Sequence, residues 1–379
     1  MQHPPPSLDE VEDPRYLAEQ LVTCIGNKRA LLDFIGAGLD RIQRRLGGRK
    51  LDILDAFSGS GVVSRYFKRF ARRLVANDLE LYADIANRCY LANASGLDLA
   101  ALGHIHAGLL ERLGEPGEEE APAGAFIAEL YAPRDDAKIG AGERVFYTRR
   151  NALYIDRARA LIDELPPALQ PFFLAPLLSE ASIHANTAGV FKGFYKDART
   201  GLGRFGGAGG DALGRIKGDI GLPFPLFSSF DCEVETLRTE ASEAAKAAGE
   251  VDVAYLDPPY NQHPYGSNYF MLNLIAERRR PESVSEVSGI PEDWRRSDYN
   301  SRGRAARALE DLVAGLKAKF ALISFNSEGF IDRREMEGLL GRHGRLTVRE
   351  RDYSAFKGSR NLDARPLRVT EFLYILEKD

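Results

Sequence analysis

Cysteine is scarce in this chain. Cys24, Cys89 and Cys232 are the only three in 379 residues, and none has a partner at paired or metal-ligand spacing. That argues against a disulfide framework and against a zinc site, and it fits a reducing, cytoplasmic compartment. Long apolar runs are missing too, so no segment reads as a membrane span. The start, Met1-Gln2-His3-Pro4-Pro5-Pro6, lacks a basic region and an apolar core, and the first dozen residues read as a loose tail. Nor is there a large charge of one sign. The formal net charge is −4, so any binding to a polyanion must rest on local basic patches. What is present, 44% hydrophobic and 28% charged residues, suits a soluble globular chain with one large domain plus an insertion, or two domains.

A short apolar run, Val253-Ala254-Tyr255-Leu256, ends in Asp257-Pro258-Pro259-Tyr260. It is too short for a helix and apolar enough for a buried parallel strand, which the two prolines then stop. Asp257 and Tyr260 are thereby expected at the carboxyl end of a strand, where ligands bind in open α/β sheets. A carboxylate beside residues of fixed φ, with an aromatic three positions on, suits a flat polar ring: the acid accepts from an amino group while Tyr260 stacks. Taken alone, the same four residues also describe a strand-ending turn.

Two further stretches bear on that choice. Residues 51–56 read as a first strand, followed by Phe57-Ser58-Gly59-Ser60-Gly61 and a helix through residue 72. Glycines at such a turn let the backbone take positive φ and approach a ligand closely. A lone Gly-x-Gly is shared with nicotinamide enzymes. Here residues 74–77 form a second strand that ends at Asp78, whose carboxylate can accept from ribose hydroxyls. A third glycine in register is absent, Ser64 standing there, which favours S-adenosylmethionine over a dinucleotide. Ahead of both lies Cys24-Ile25-Gly26-Asn27-Lys28-Arg29, where a helical pattern over residues 13–46 breaks at Gly26. On the residues alone, Lys28 is a solvated helix start.

In this order, the three stretches resemble the adenine-specific DNA methyltransferases of the Dam and FokI type, in which cofactor motifs come first, a target-recognition region next and the catalytic motif last. The resemblance implies a fold class: a Rossmann-like α/β sheet of the class I S-adenosylmethionine-dependent methyltransferases, with an antiparallel last strand and an inserted, mostly helical recognition region. It also implies roles. Lys28 reaches the methyl donor; Asp55, Phe57, Gly59, Gly61 and Asp78 shape the donor site; Asp257, Pro258 and Tyr260 act on the base. A third strand expected over residues 226–232 ends at Asp231, which the resemblance sets beside the adenine of the donor. The residues themselves equally allow Asp231 as the N-cap of a helix over 233–248.

The expected division is 1–95 and 228–379 for the two halves of the core, with 96–227 as the recognition insertion. The insertion opens on an acidic connector rich in Pro and Gly, residues 114–124. Helical blocks over 151–164 and 172–186 suit a small satellite core. Ala185-Asn186-Thr187-Ala188-Gly189-Val190 resembles a FokI-type element. The glycine-rich stretch 201–218, with Arg204, Arg215 and Lys217, reads either as a segment that tightens on phosphates or as a surface loop. Arginines at 278–280, 295–296, 302, 304 and 307 read as phosphate contacts or as solvated charge. Residues 320–325, ending at Asn326-Ser327-Glu328-Gly329, and a closing antiparallel pair, 346–353 and 369–376, complete the sheet. Phe356-Lys357-Gly358-Ser359-Arg360-Asn361, between the last two, is similar to the FokI type.

The activity implied is methyl transfer from S-adenosylmethionine to adenine N6 in double-stranded DNA, in a restriction-modification or epigenetic setting, without a metal. A companion restriction endonuclease, no membrane and a monomeric state go with it. Three alternatives stand beside it: the same chemistry on RNA, a non-catalytic DNA-binding partner that retains the fold, and a nicotinamide oxidoreductase.

Overall fold

The computed structural model describes residues 11–114, 121–207, 209–210, 212–354 and 368–379. Residues 1–10 of the expected tail, residues 115–120 of the acidic connector and the Phe356–Asn361 element lie outside them.

Apolar runs of β-branched and aromatic residues pair into one seven-stranded sheet. Its strands are β1 Leu51–Asp55, β2 Ala71–Asn77, β3 Glu233–Leu237, β4 Val251–Leu256, β5 Ala318–Asn326, β6 Gly344–Ser354 and β7 Arg368–Lys378, in the order β3-β2-β1-β4-β5-β7-β6. The first five pair in parallel, whereas β7 runs antiparallel to both β5 and β6. Successive residues alternate between the two faces. Ile53, Leu74, Val253, Tyr255 and Phe320 enter one core, while Leu54, Val75, Ala254, Leu256 and Ala321 enter the other.

Helices cover both faces, as a parallel sheet requires. Helices α1 Leu32–Arg45 and α2 Val62–Phe67 supply the first core, and α3 Leu81–Tyr90 follows β2. Next come α4 Leu99–Leu113, α5 Ile127–Leu130, α6 Arg149–Asp163, α7 Gln170–Ile183 and α8 Leu213–Lys217. Beyond β3 lie α9 Ala241–Ala248, α10 Tyr265–Asn268, α11 Phe270–Glu277, α12 Ala305–Gly315 and α13 Arg333–Leu340. Of these, α9, α12 and α13 fill the second core.

Four features differ from the sequence reading. Residues 226–232 form no strand; Pro223 and Pro225 just ahead of them favour loop, and β3 begins only at Glu233, where a helix was expected. As the sheet's edge strand, β3 is half exposed, so Glu-Val-Glu-Thr-Leu carries the charge of a helix start yet pairs with β2. The helix after the glycine loop stops at Phe67, because β2 already begins at Ala71. The helical pattern over 13–46 is helical only from Lys28 onward. Finally, the insertion makes no satellite core: Leu109, Phe146, Leu153 and Phe173 pack in one cluster with Tyr82 of α3 and Phe270 and Ile275 of α11. The inserted helices are thus bolted to the helix that carries the chain away from the Asp-Pro-Pro-Tyr turn.

Candidate active site

Reversal of strand order between β1 and β4 opens a crevice at the carboxyl edge of the sheet. A cleft occupies it, walled by the glycine loop, the ends of β2 and β4, the segment Cys24 to Lys28, and Arg295, Ser297 and Asn300.

The glycine loop is held from behind. Asp55 is fully buried and accepts from Ser64 Oγ at 2.6 Å and from the Phe57 N–H at 3.4 Å. Burial pushes its pKa up to about 7, against the pull of those bonds. Asn77 ties strand ends together, its amide donating to Ala56 O at 3.0 Å and Thr239 O at 3.1 Å. Asp78 accepts from the Gly59 N–H at 2.8 Å and from the Glu80 N–H at 2.9 Å, so the acid both shapes the loop and lines the cleft. Gly59 and Gly61 take φ of +53° and +76°. A Cβ on Gly61 would meet Asn87 Oδ1 at 2.9 Å, whereas one on Gly59 would meet no protein atom within 4 Å, projecting from the cleft wall. An open backbone, a carboxylate and apolar walls suit a nucleoside with a charged tail, and S-adenosylmethionine fits that description.

At the end of β4 the charges are concentrated. Lys28 is buried, its side chain 4% exposed, and its ammonium donates to Glu371 Oε1 at 2.8 Å while lying 3.2 Å from Asp257 Oδ1. Burial would lower the lysine pKa, but Asp257 and Glu371 outweigh it and hold the charge firmly on. For Asp257 burial dominates: it lifts the carboxyl to about 7, with Lys28 pulling the other way. Among the described residues Asp257 Oδ1 has no hydrogen-bond partner. Tyr260 lies beside this group, with the Lys28 ammonium 5.5 Å from its ring centroid and Phe325 edge-on at 5.8 Å.

Comparison with known proteins points the same way as this geometry. Residues 225–337 match the family model of the D12 class N6 adenine-specific DNA methyltransferases. The type II methyltransferase M.NlaIII of Neisseria lactamica is 28% identical over 366 residues, covering 93% of this chain and 98% of that one. M.CviAII of Paramecium bursaria Chlorella virus 1 is 26% identical over 356 residues, at 93% and 97% coverage. M.FokI of Planomicrobium okeanokoites is 27% identical over 374 residues, but they make up only 52% of its length. The family match and these relatives together support an adenine-specific DNA methyltransferase.

In this methyltransferase, Lys28, Phe57, Gly59, Asp78 and Asp257 all line the cleft, and Phe57 is braced edge-on by Tyr299 at 5.0 Å. Asp55, Gly61, Pro258 and Tyr260 stand behind or beside it. Asp231 does not belong to the site. It precedes β3 at the opposite edge of the sheet, hydrogen-bonded to Ser95 on the surface, and caps no helix. The strand was expected seven residues too early, which put its acid at the wrong end; Thr239 and Glu240, after β3, line the cleft instead.

Two cleft or near-cleft groups, Glu80 and Glu371, have no place in the sequence reading, and Arg295, read there as a phosphate contact or solvated charge, lines the cleft. Glu80 accepts from Asn273 at 2.5 Å and is pushed by burial to about 7. Arg295 donates to Leu79 O at 3.1 Å. Glu371 lies on β7, and its only sequence signal is an acid inside the strand Val-Thr-Glu-Phe-Leu-Tyr.

Many of the proposed phosphate contacts are engaged elsewhere. Arg278, Arg279 and Arg280 pair with Asp163, Asp293 and Glu129, and Arg304 and Arg307 pair with Asp298 and Asp311. Arg204 and Arg215 donate to backbone carbonyls of Gly207 and Ala185. Asn186, in the FokI-like element, donates to Val145 O and Arg204 O and accepts from the Gly206 N–H, so it pins the glycine-rich stretch in place. Among the described residues, no helix is long and apolar enough to cross a membrane.

Proposed function

We propose that Asp257, Pro258 and Tyr260 methylate the N6 nitrogen of an adenine flipped out of double-stranded DNA, using S-adenosylmethionine held by the glycine loop, Asp78 and Lys28. One observation supports this reading most: a largely buried carboxylate at the end of β4, ion-paired with Lys28 and on the wall of a cleft that suits the donor.

The chemical difficulty is the nitrogen. Its lone pair is delocalised into the ring, so it is a weak nucleophile. The Asp257 carboxylate accepts one amino hydrogen and the carbonyl of Pro258 the other, which draws the nitrogen toward tetrahedral geometry and aims its lone pair. Bound S-adenosylmethionine supplies an already activated methyl carbon. As positive charge grows on the nitrogen, the carboxylate stabilises it. With a pKa raised to about 7, Asp257 is also basic enough to take the proton that the methylated nitrogen sheds. Tyr260 replaces the stacking that the base loses on leaving the duplex.

Residues 96–227 act as the recognition region in this reading. The relatives' names attach them to type II methyltransferases, and this chain takes the modification role beside a companion endonuclease, as a monomer in the cytoplasm. The test is tritium transfer from labelled S-adenosylmethionine into unmethylated genomic DNA, with RNA and protein extract in parallel. N6-methyldeoxyadenosine among the digested nucleosides is the expected product. Label confined to RNA, or none at all despite donor binding, would overturn the assignment.

A further inference from the structure

Lys28 has two carboxylates within reach, and it treats them differently. Its ammonium donates to Glu371 Oε1 at 2.8 Å and makes a longer ion contact with Asp257 Oδ1 at 3.2 Å. Glu371 itself is fully buried on β7, is fixed by a 2.5 Å bond from Ser324 Oγ on the neighbouring β5, and keeps Oε2 without a hydrogen-bond partner among the described residues. A buried acid that far from water persists only when a cation answers it. The segment carrying Lys28 and the strand carrying Glu371 are 343 residues apart in sequence, so the pairing is a product of the fold.

We propose that Glu371, held by Ser324, is the seat of the Lys28 ammonium and limits its hold on Asp257 to the 3.2 Å ion contact at Oδ1, so that the carboxylate can still accept from the amino group of the incoming base. Glu371 is thus a positioning residue: it touches Lys28, not the base. Without it, the ammonium would close further on Asp257 and compete with the amine for the carboxylate. The inference rests on the methyl-transfer reading above.

Other groups around the ammonium do not duplicate this role. Tyr255 on β4, Tyr260 on the turn and Tyr353 on β6 couple to it, but burial raises the pKa of all three phenols, so they stay neutral. Asp55, the remaining acid that couples to Asp257, is bonded to Ser64.

The test is the pH profile of kcat for tritium transfer into unmethylated genomic DNA, at saturating S-adenosylmethionine, for wild type, Glu371→Gln, Lys28→Gln and the double variant. Glu371→Gln should move the acid limb to lower pH, because Asp257 loses a like charge and gains a closer ammonium. Lys28→Gln should move it to higher pH, by on the order of one unit. On the alkaline plateau Glu371→Gln should be roughly tenfold slower, and the double variant should be no slower than Lys28→Gln alone. Should Glu371→Gln fail to fold, Ser324→Ala loosens the same seat with every charge kept, and should move the limb the same way by less. A variant slowed equally at every pH, with an unmoved limb and single losses that simply multiply, would make Glu371 a packing residue and overturn the inference. Wild type that transfers no label would instead sink the reading on which it rests.

Discussion

Strand β4 carries an acid at each end, and the two have opposite fates. Asp252, at the amino end, accepts from both terminal nitrogens of Arg49 at 2.6 and 2.7 Å, from Lys319 at 3.0 Å and from the Asp52 N–H at 3.0 Å. Burial alone would raise its pKa, but these donors outweigh it and hold the carboxyl at about 2. Asp257, just past the carboxyl end, meets a single ammonium that is bonded to another acid, and burial lifts it to about 7. The same residue type, on one strand, is a structural anchor where its needs are met and a poised group where they are not. The carboxyl edge repeats this at Asp55 and Glu80, both raised to about 7 by burial.

The largest effect that can break this contrast is at Asp257. Asp257→Asn should lower methyl transfer by at least ~10²–10³-fold, since a neutral amide cannot stabilise the developing charge. It should not lower Tm, because the ionised acid is a burden on the fold above pH 7. In the wild type, protonation removes the acceptor, so kcat should rise with pH through the region near 7 and level off above it. A profile already flat below pH 6 would contradict the assignment. Tyr260→Ala comes next, costing about 1–3 kcal/mol of base capture through lost stacking, with donor binding little changed; equilibrium titrations with each ligand decide it. Gly59→Ala sharpens the contrast from the donor side. Its Cβ meets no protein atom, so the fold loses only the strain of φ +53°, about 1 kcal/mol, while donor affinity should fall visibly in calorimetry.

How much of this was legible in the sequence follows from distance along the chain. Asp257 and the glycine loop were readable because a strand, its stop signal and its functional side chain are contiguous. The closing antiparallel pair followed from the same runs, while the parallel order came from the family resemblance. Glu371 was not readable as a partner of Lys28, since only the sheet brings β7 beside the N-terminal segment. Arg65 is similar: fully buried, it stacks 3.7 Å from the Tyr90 ring centroid and donates to the carbonyls of Tyr16 and Gln20, which fixes the segment leading to Lys28. No local pattern marks it. Strand β3 was misplaced because an edge strand wears charge on its exposed side, and that error carried Asp231 with it. The insertion was misjudged as a satellite because α4 went unread and because helical periodicity shows which face is apolar but not what covers it.

The smallest predicted effect tests whether the two ends of β4 are separable. Asp252→Asn removes a carboxylate whose ion-pair partners are about half exposed or more, so screening limits the loss to about 1–2 kcal/mol at pH 7. Because the folded pKa, about 2, lies below the ordinary 3.8, the native carboxylate stabilises the fold above pH 4 and loses that contribution as pH falls toward 2. Urea denaturation of wild type and variant should therefore show a gap that is constant from pH 5 to 7, narrows below 4 and closes near 2. Methyl transfer at pH 8 should be unchanged. A gap that persists at pH 2 would mean that packing, not charge, holds this end. A loss of transfer with stability intact would mean that β4 conducts strain from its anchored end to its poised one, and the separation drawn between Asp252 and Asp257 would fall.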